Sequence, residues 1–126
     1  MVSHTALVDL VTPPPDVLQF FRALADDKRL SIVRLLALSD LRAGEIGAAL
    51  SLASNAVSYH LKQLTELGLL QDRRSSSDAR DVYYRVDLEH LDRLYTQAGD
   101  TLHPGLVTSA QSGAEDSYGV PRPGLE

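Results

Sequence analysis

With 126 residues, a net charge of −5 and 44% apolar side chains, the chain has the size and balance of one globular domain. It has no cysteine, which excludes disulfides, thiolate metal centres, thiol redox sensing and cysteine nucleophiles. No apolar run approaches the roughly 18 residues of a membrane-spanning helix, and the N-terminus lacks the basic-then-apolar order of an export signal, so a cytoplasmic protein without a membrane partner is expected.

Residues 1–14 have mixed character and run into Pro13, Pro14 and Pro15; they are expected to form a flexible arm. The prolines stop any preceding element and place a helix start at Pro15 or Asp16. Val17, Leu18, Phe20, Phe21, Leu24 and Ala25 then recur with helical spacing. Asp26 or Asp27 can cap a second helix carrying Leu30, Ile32, Val33, Leu35 and Leu36, which ends near Ser39. "RAGEIGAAL" predicts a short third helix with Ile46, Ala49 and Leu50 turned inward, and "SLAS" interrupts it for about a turn.

"SNAVSYHLKQLTELG" resumes the helical pattern, with Val57, Leu61, Leu64 and Leu67 as the inner stripe and Gly68 as the C-terminal stop. "LLQDRR" and "DVYYRV" are extended segments around the polar "SSSDA", which predicts a two-stranded hairpin with a long tip. "VDLEHLDRLYTQAGDTLHP" supplies a last amphipathic helix. Residues 104–126 are rich in Gly, Pro and Ser and are expected to be a disordered tail. The domain therefore spans 15–103, and its class is mainly α with a small β-hairpin.

A helix, a tight turn and an amphipathic helix together make the frame that sets a recognition helix in the major groove of double-stranded DNA. The outward positions of residues 54–67 suit that task. Asn55 and Ser58 can bond base edges, Tyr59 offers a hydroxyl and a ring face, Lys62 suits a phosphate, and Ser54 sits at the amide-rich N-terminus. The hairpin, as a wing, carries Arg73 and Arg74 at one end and Arg80 at the other. Residues 54–86 hold Lys62, Arg73, Arg74, Arg80 and Arg85 against Glu66, Asp72, Asp78 and Asp81, a balance of +1 that leaves −6 for the rest. The bland reading is a helical bundle with small polar residues outside; His60 is expected to pack and bond locally.

"FRALADDKRLSIVRLL", "GEIGAALSLASNAVSYHLKQLTELGLLQDRR" and "DVYYRV" resemble the bacterial ArsR/SmtB family of winged-helix transcriptional repressors, over roughly Phe20 to His103. The resemblance implies a winged helix-turn-helix dimerised through its terminal helices. It also implies a homodimer on an inverted-repeat operator, released by an effector. Where the family often has Gly or Ser in the turn and Arg or Gln on the exposed helix face, this chain has Ser51, Ala53 and Tyr59, so operator sequence does not carry over. The family's cysteine-pair metal site falls on "LRAGEI", where no thiolate exists.

The resemblance implies a second kind of effector site on the last helix, patterned Asp, one residue, His, ten residues, His, two residues, then His or Glu. That spacing falls on Asp87, Glu89, Asp100 and His103, with Glu89 and Asp100 standing where the pattern has His. Glu89 and Asp100 would lie roughly 16 Å apart along one helix. An ion would therefore need two antiparallel copies, and a dimer would hold two such sites. Three carboxylates and one imidazole suit nickel or zinc, with cobalt or manganese also compatible, and His4 could complete the shell. The same residues also read as the wet face of a dimer helix, opposite Leu88, Leu91, Leu94, Tyr95, Ala98 and Leu102.

An enzyme is not expected, since no nucleophile–base pair or phosphate loop is present. A metal-independent dimeric regulator, and a winged-helix protein-interaction module that never touches DNA, remain open beside the metal-controlled regulator.

Overall fold

The computed structural model of the chain describes residues 3–74 and 81–106. Its elements run α1 (His4–Val11), α2 (Pro15–Leu24), α3 (Asp27–Leu36), β1 (Leu41–Arg42), α4 (Ala43–Leu50), α5 (Ser54–Glu66), β2 (Leu70–Arg74), β3 (Val82–Val86) and α6 (Leu88–Leu102).

Local chemistry explains most of the boundaries. Pro15 opens α2, where a missing N–H costs nothing. Asp26 caps α3, its Oδ1 accepting the Lys28 and Arg29 amides at 2.9 and 3.1 Å. The Arg29 amide, with the Arg29 guanidinium behind it, holds the Asp26 carboxyl below the usual carboxylate range against the smaller opposing effect of burial. Asp26→Ala is expected to destabilise the fold by about 1 kcal/mol at neutral pH. Because the folded-state pKa is depressed, this contribution is complete above the ordinary aspartate range and fades as pH falls through the folded value. Urea melts of both proteins at neutral and acid pH should therefore converge in acid.

The core runs from Val17 and Phe20 of α2 through Ile32 and Leu36 of α3 and Ile46 of α4 to Val57, Leu61 and Leu64 of α5. Leu69, Leu70, Leu94 and Ala98 close it from the sheet and α6. Ala49, expected inside, is exposed. Gly47 faces the turn and α5 instead, where an added Cβ would stand 3.0 Å from the Leu52 carbonyl and 3.3 Å from Val57 Cγ2. In a helix this short, one stripe through Ala43, Ile46, Gly47 and Leu50 uses up the inward face, and Ala49 falls off it.

Two elements differ from the sequence expectation. Within the segment expected to be a flexible arm, where no helix was anticipated, residues 4–11 form α1, started by the Ser3 hydroxyl accepting the Ala6 amide at 3.1 Å; none of its side chains is buried. The expected two-stranded hairpin is joined by β1, giving an antiparallel sheet of order β1-β3-β2. Leu41 pairs with Tyr84 and Arg42 with Tyr83, while β2 and β3 run in register from Leu70 opposite Val86 to Arg74 opposite Val82.

The inner stripe of α6 also splits. Leu94 and Ala98 are buried, whereas Leu88, Tyr95 and Leu102, seven residues apart in turn, are 72%, 70% and 67% exposed. Among the described residues no helix is long and apolar enough to cross a membrane.

Candidate nucleic-acid interface

The turn between α4 and α5 is built at Ser51, in the left-handed region at φ 56, with the Gly47 carbonyl accepting the Ser51 and Leu52 amides. Only this conformation reverses α4 within three residues, and a non-glycine residue holds it at some cost. α5 then starts at Ala53, which has no side-chain acceptor to offer as a cap. Asn55 Oδ1 takes the Ala56 amide at 2.9 Å. No N-cap side chain bonds the first turn, and an N-terminus of that kind suits an anion such as phosphate.

The outward row expected from the sequence is present. Ser54, Asn55, Ser58, Tyr59 and Lys62 are all exposed, while Val57, His60, Leu61 and Leu64 are buried behind them. Tyr59 leans edge-on against the His60 ring, with centroids 5.4 Å apart. His60 packs as expected, its Nδ1 3.3 Å from an Arg29 Nη1 whose Nε donates to the Ala23 carbonyl at 2.9 Å. The back of the recognition helix is thereby tied to the α2–α3 corner.

The wing differs in emphasis. Arg73 lies 3.8 Å from Asp40 and 5.4 Å from the Tyr83 ring centroid. Arg42, on β1 at the other side of β3, covers the same ring at 5.8 Å and pairs with Glu45 at 3.3 Å and Asp81 at 3.6 Å. The Arg42 amide and then its guanidinium hold the Glu45 carboxyl below its usual range, and Glu45 in turn raises Arg42. Asp40, Glu45 and Asp81 thus screen the arginines at the base of the wing. These pairs are exposed, so phosphate oxygens can compete for the guanidinium groups. Arg74 is exposed at the end of β2, and Arg80 lies outside the described residues.

The four expected metal ligands are not brought together within one chain, and among the described residues no cluster of three such side chains could hold an ion. Two of the four are also occupied. Asp87 is the N-cap of α6, with Oδ1 accepting the His90 amide at 3.1 Å and Oδ2 accepting Gln71 Nε2 at 3.0 Å. His103 Nδ1 accepts the Gly105 amide at 2.9 Å. Its neutral ring therefore carries the proton on Nε2 and offers no free lone pair. Glu89 and Asp100 are exposed carboxylates, and His4 is exposed at the start of α1. A site shared between two antiparallel copies of α6, as the sequence implied, would draw on Glu89 and Asp100 as open carboxylates and on Asp87 and His103 only in competition with or beside these hydrogen bonds.

Three side chains that matter here were not singled out from the sequence. Arg29 and Arg42 each join a near partner to one distant in the chain, His60 and Asp81 respectively. His90 could have been noticed, since it stands three residues after the capping Asp87.

A winged helix-turn-helix with a solvent-facing recognition helix defines the class. The family description "Bacterial regulatory protein, arsR family" matches residues 26–72, from the α3 cap into β2. The cadmium resistance transcriptional regulatory protein CadC homolog of Staphylococcus aureus is 33% identical over 97 residues, covering 76% of each chain. The transcriptional repressor SmtB homolog of Synechocystis is 36% identical over 84 residues, 67% of this chain and 61% of that protein, so this chain spans about three fifths of its length. The solved structure of reduced HlyU from Vibrio cholerae N16961 superposes with a TM-score of 0.54 at 27% identity, covering 64% of this chain and 82% of the other. The chain belongs to the ArsR family, whose members are transcriptional regulators rather than enzymes.

Proposed function

We propose that the protein is a dimeric transcriptional regulator that represses by occupying an inverted-repeat operator in double-stranded DNA. The observation that carries this reading is the exposed row Ser54, Asn55, Ser58, Tyr59 and Lys62 on an N-terminally uncapped α5, braced from behind by His60 and Arg29. Dimerisation is supported by apolar side chains without cover in one chain: Leu88, Tyr95 and Leu102 on α6, and Leu10 and Val11 on α1. A two-fold dimer reads two half-sites of opposite sense, hence the inverted repeat.

Fluorescence anisotropy on preferred and scrambled duplexes tests the assignment. Lys62→Ala is expected to weaken binding to both and reduce the salt slope by about one. Asn55→Ala is expected to cost about 1–3 kcal/mol on the preferred duplex and little on the scrambled one. Wild-type behaviour from both variants would remove α5 from the interface. Absence of salt-dependent binding to any duplex would favour a protein-interaction module.

Control by nickel or zinc, or by cobalt or manganese, on Asp87, Glu89, Asp100 and His103 is the weaker reading. An ion would share the Asp87 carboxylate with the α6 cap and compete with the Gly105 amide for His103 Nδ1, and the set offers only one imidazole. We infer a regulator that does not need a metal on α6. Thermal melts with each ion are expected to match the ion-free melt, and a rise in Tm that His103→Ala abolishes would reinstate the metal site.

A further inference from the structure

We propose that His90 is a positioning residue that fixes the recognition helix α5 against α6 and so sets the separation of the two recognition helices; this rests on the dimeric reading above.

The junction is built from both sides. The last carbonyls of a helix lack partners inside it, and α5 ends at Glu66 with Leu67 as its C-cap and Gly68 following at φ 88 to turn the chain into β2. His90, in the first turn of α6, lies directly on that bend: a Cβ added to Gly68 would meet its Nε2 at 2.7 Å and Cδ2 at 2.9 Å. Its Nε2 is 3.2 Å from the Leu67 carbonyl, and its Nδ1 is 3.1 Å from Arg93 Nη2. A guanidinium only donates, so Nδ1 is the acceptor and the neutral ring holds its proton on Nε2, donating it to Leu67. One tautomer satisfies both neighbours.

Two further bonds cross the same seam. The Asp87 amide donates to the Leu69 carbonyl at 2.9 Å, and Gln71 Nε2 donates to Asp87 Oδ2 at 3.0 Å. Within the chain α6 packs chiefly on α2 rather than along α5. The angle between α6 and the recognition helix is therefore set at this end, by His90 on the last open carbonyl of α5. A partner subunit held through α6 would place its own α5 by the same bond.

The chain has no cysteine, so Gln63→Cys gives a single nitroxide site on the exposed side of α5. Pulsed dipolar spectroscopy then reads the distance between the two recognition helices, with melts and sedimentation run on the same samples. His90→Phe keeps a ring against Gly68 and removes both nitrogens. His90→Asn is too short to reach Leu67, and His90→Gln returns an amide donor near the Nε2 position. The labelled parent and His90→Gln are expected to give one narrow distance. His90→Phe and His90→Asn are expected to broaden or shift it while remaining folded dimers. A parent-like distance in either folded variant overturns the positioning role. A parent that sediments as a monomer with no dipolar signal overturns the dimeric reading instead, and the inference with it.

Discussion

Leu64→Ala is expected to lower the unfolding free energy by about 2–5 kcal/mol, a large share of what a domain of this size possesses. Leu64 is fully buried on the inner face of α5, in the core that joins α2, α3, α4 and α6. Removing three carbons there sacrifices transfer energy and leaves a hollow that the surrounding core closes only in part. Denaturant melts check the value. Lys62, two residues away and exposed, is the control, since its replacement by alanine should move stability by no more than about 0.5 kcal/mol. The two variants thus separate loss of DNA binding through unfolding from loss through a missing contact. A Leu64→Ala protein as stable as the parent would mean that α5 is not the core helix described.

Tyr95→Glu is expected to break the dimer without harming the monomer. Tyr95 sits between Leu88 and Leu102 on the stripe of α6 that its own chain leaves uncovered, so in one chain the new carboxylate stays in water. In a dimer built on that stripe it would be buried without a partner, at a cost of about 3 kcal/mol, or roughly a hundredfold in dimer Kd. Sedimentation velocity over a concentration series reads the shift, and operator binding should fall with it because both half-sites are needed. An unchanged dimer would place the interface on another surface.

The distinction between legible and hidden features follows the range of the interactions. α2 to α6 could be read because proline, aspartate caps and apolar periodicity act within a few residues; Pro15, Asp26 and the Val57–Leu61–Leu64 stripe each leave a local mark. The exposed row of α5 follows from the same periodicity, as the residues left over. β1 is only Leu41–Arg42 and exists because β3 comes back beside it forty residues later, which no local pattern records. α1 buries none of its apolar side chains, so its composition carried no inward stripe to read. His60 was correctly expected to pack, yet its partner Arg29 lies 31 residues away.

The metal set illustrates a different limit. The family resemblance made Asp87 and His103 eligible donors, and the fold gives both a local role that no spacing records: Asp87 accepts from Gln71 and His90, and His103 from Gly105. His90, one residue from an expected ligand, turned out to hold the α5–α6 junction. A net balance of charge says nothing of pairing: the fold brings Asp40 to Arg73 and Asp81 to Arg42, contacts between residues far apart in the chain.

The central claim, that this chain reads an inverted repeat as a dimer, is tested most directly by selecting bound duplexes from a random-sequence pool with the wild-type protein. The account predicts enrichment of a two-fold symmetric site whose half-site centres lie about one helical turn, or a multiple of it, apart. It also predicts a pair of protomers per duplex and affinity that falls steeply with salt. Enrichment of no sequence, or of an asymmetric site filled by a single protomer, would contradict it.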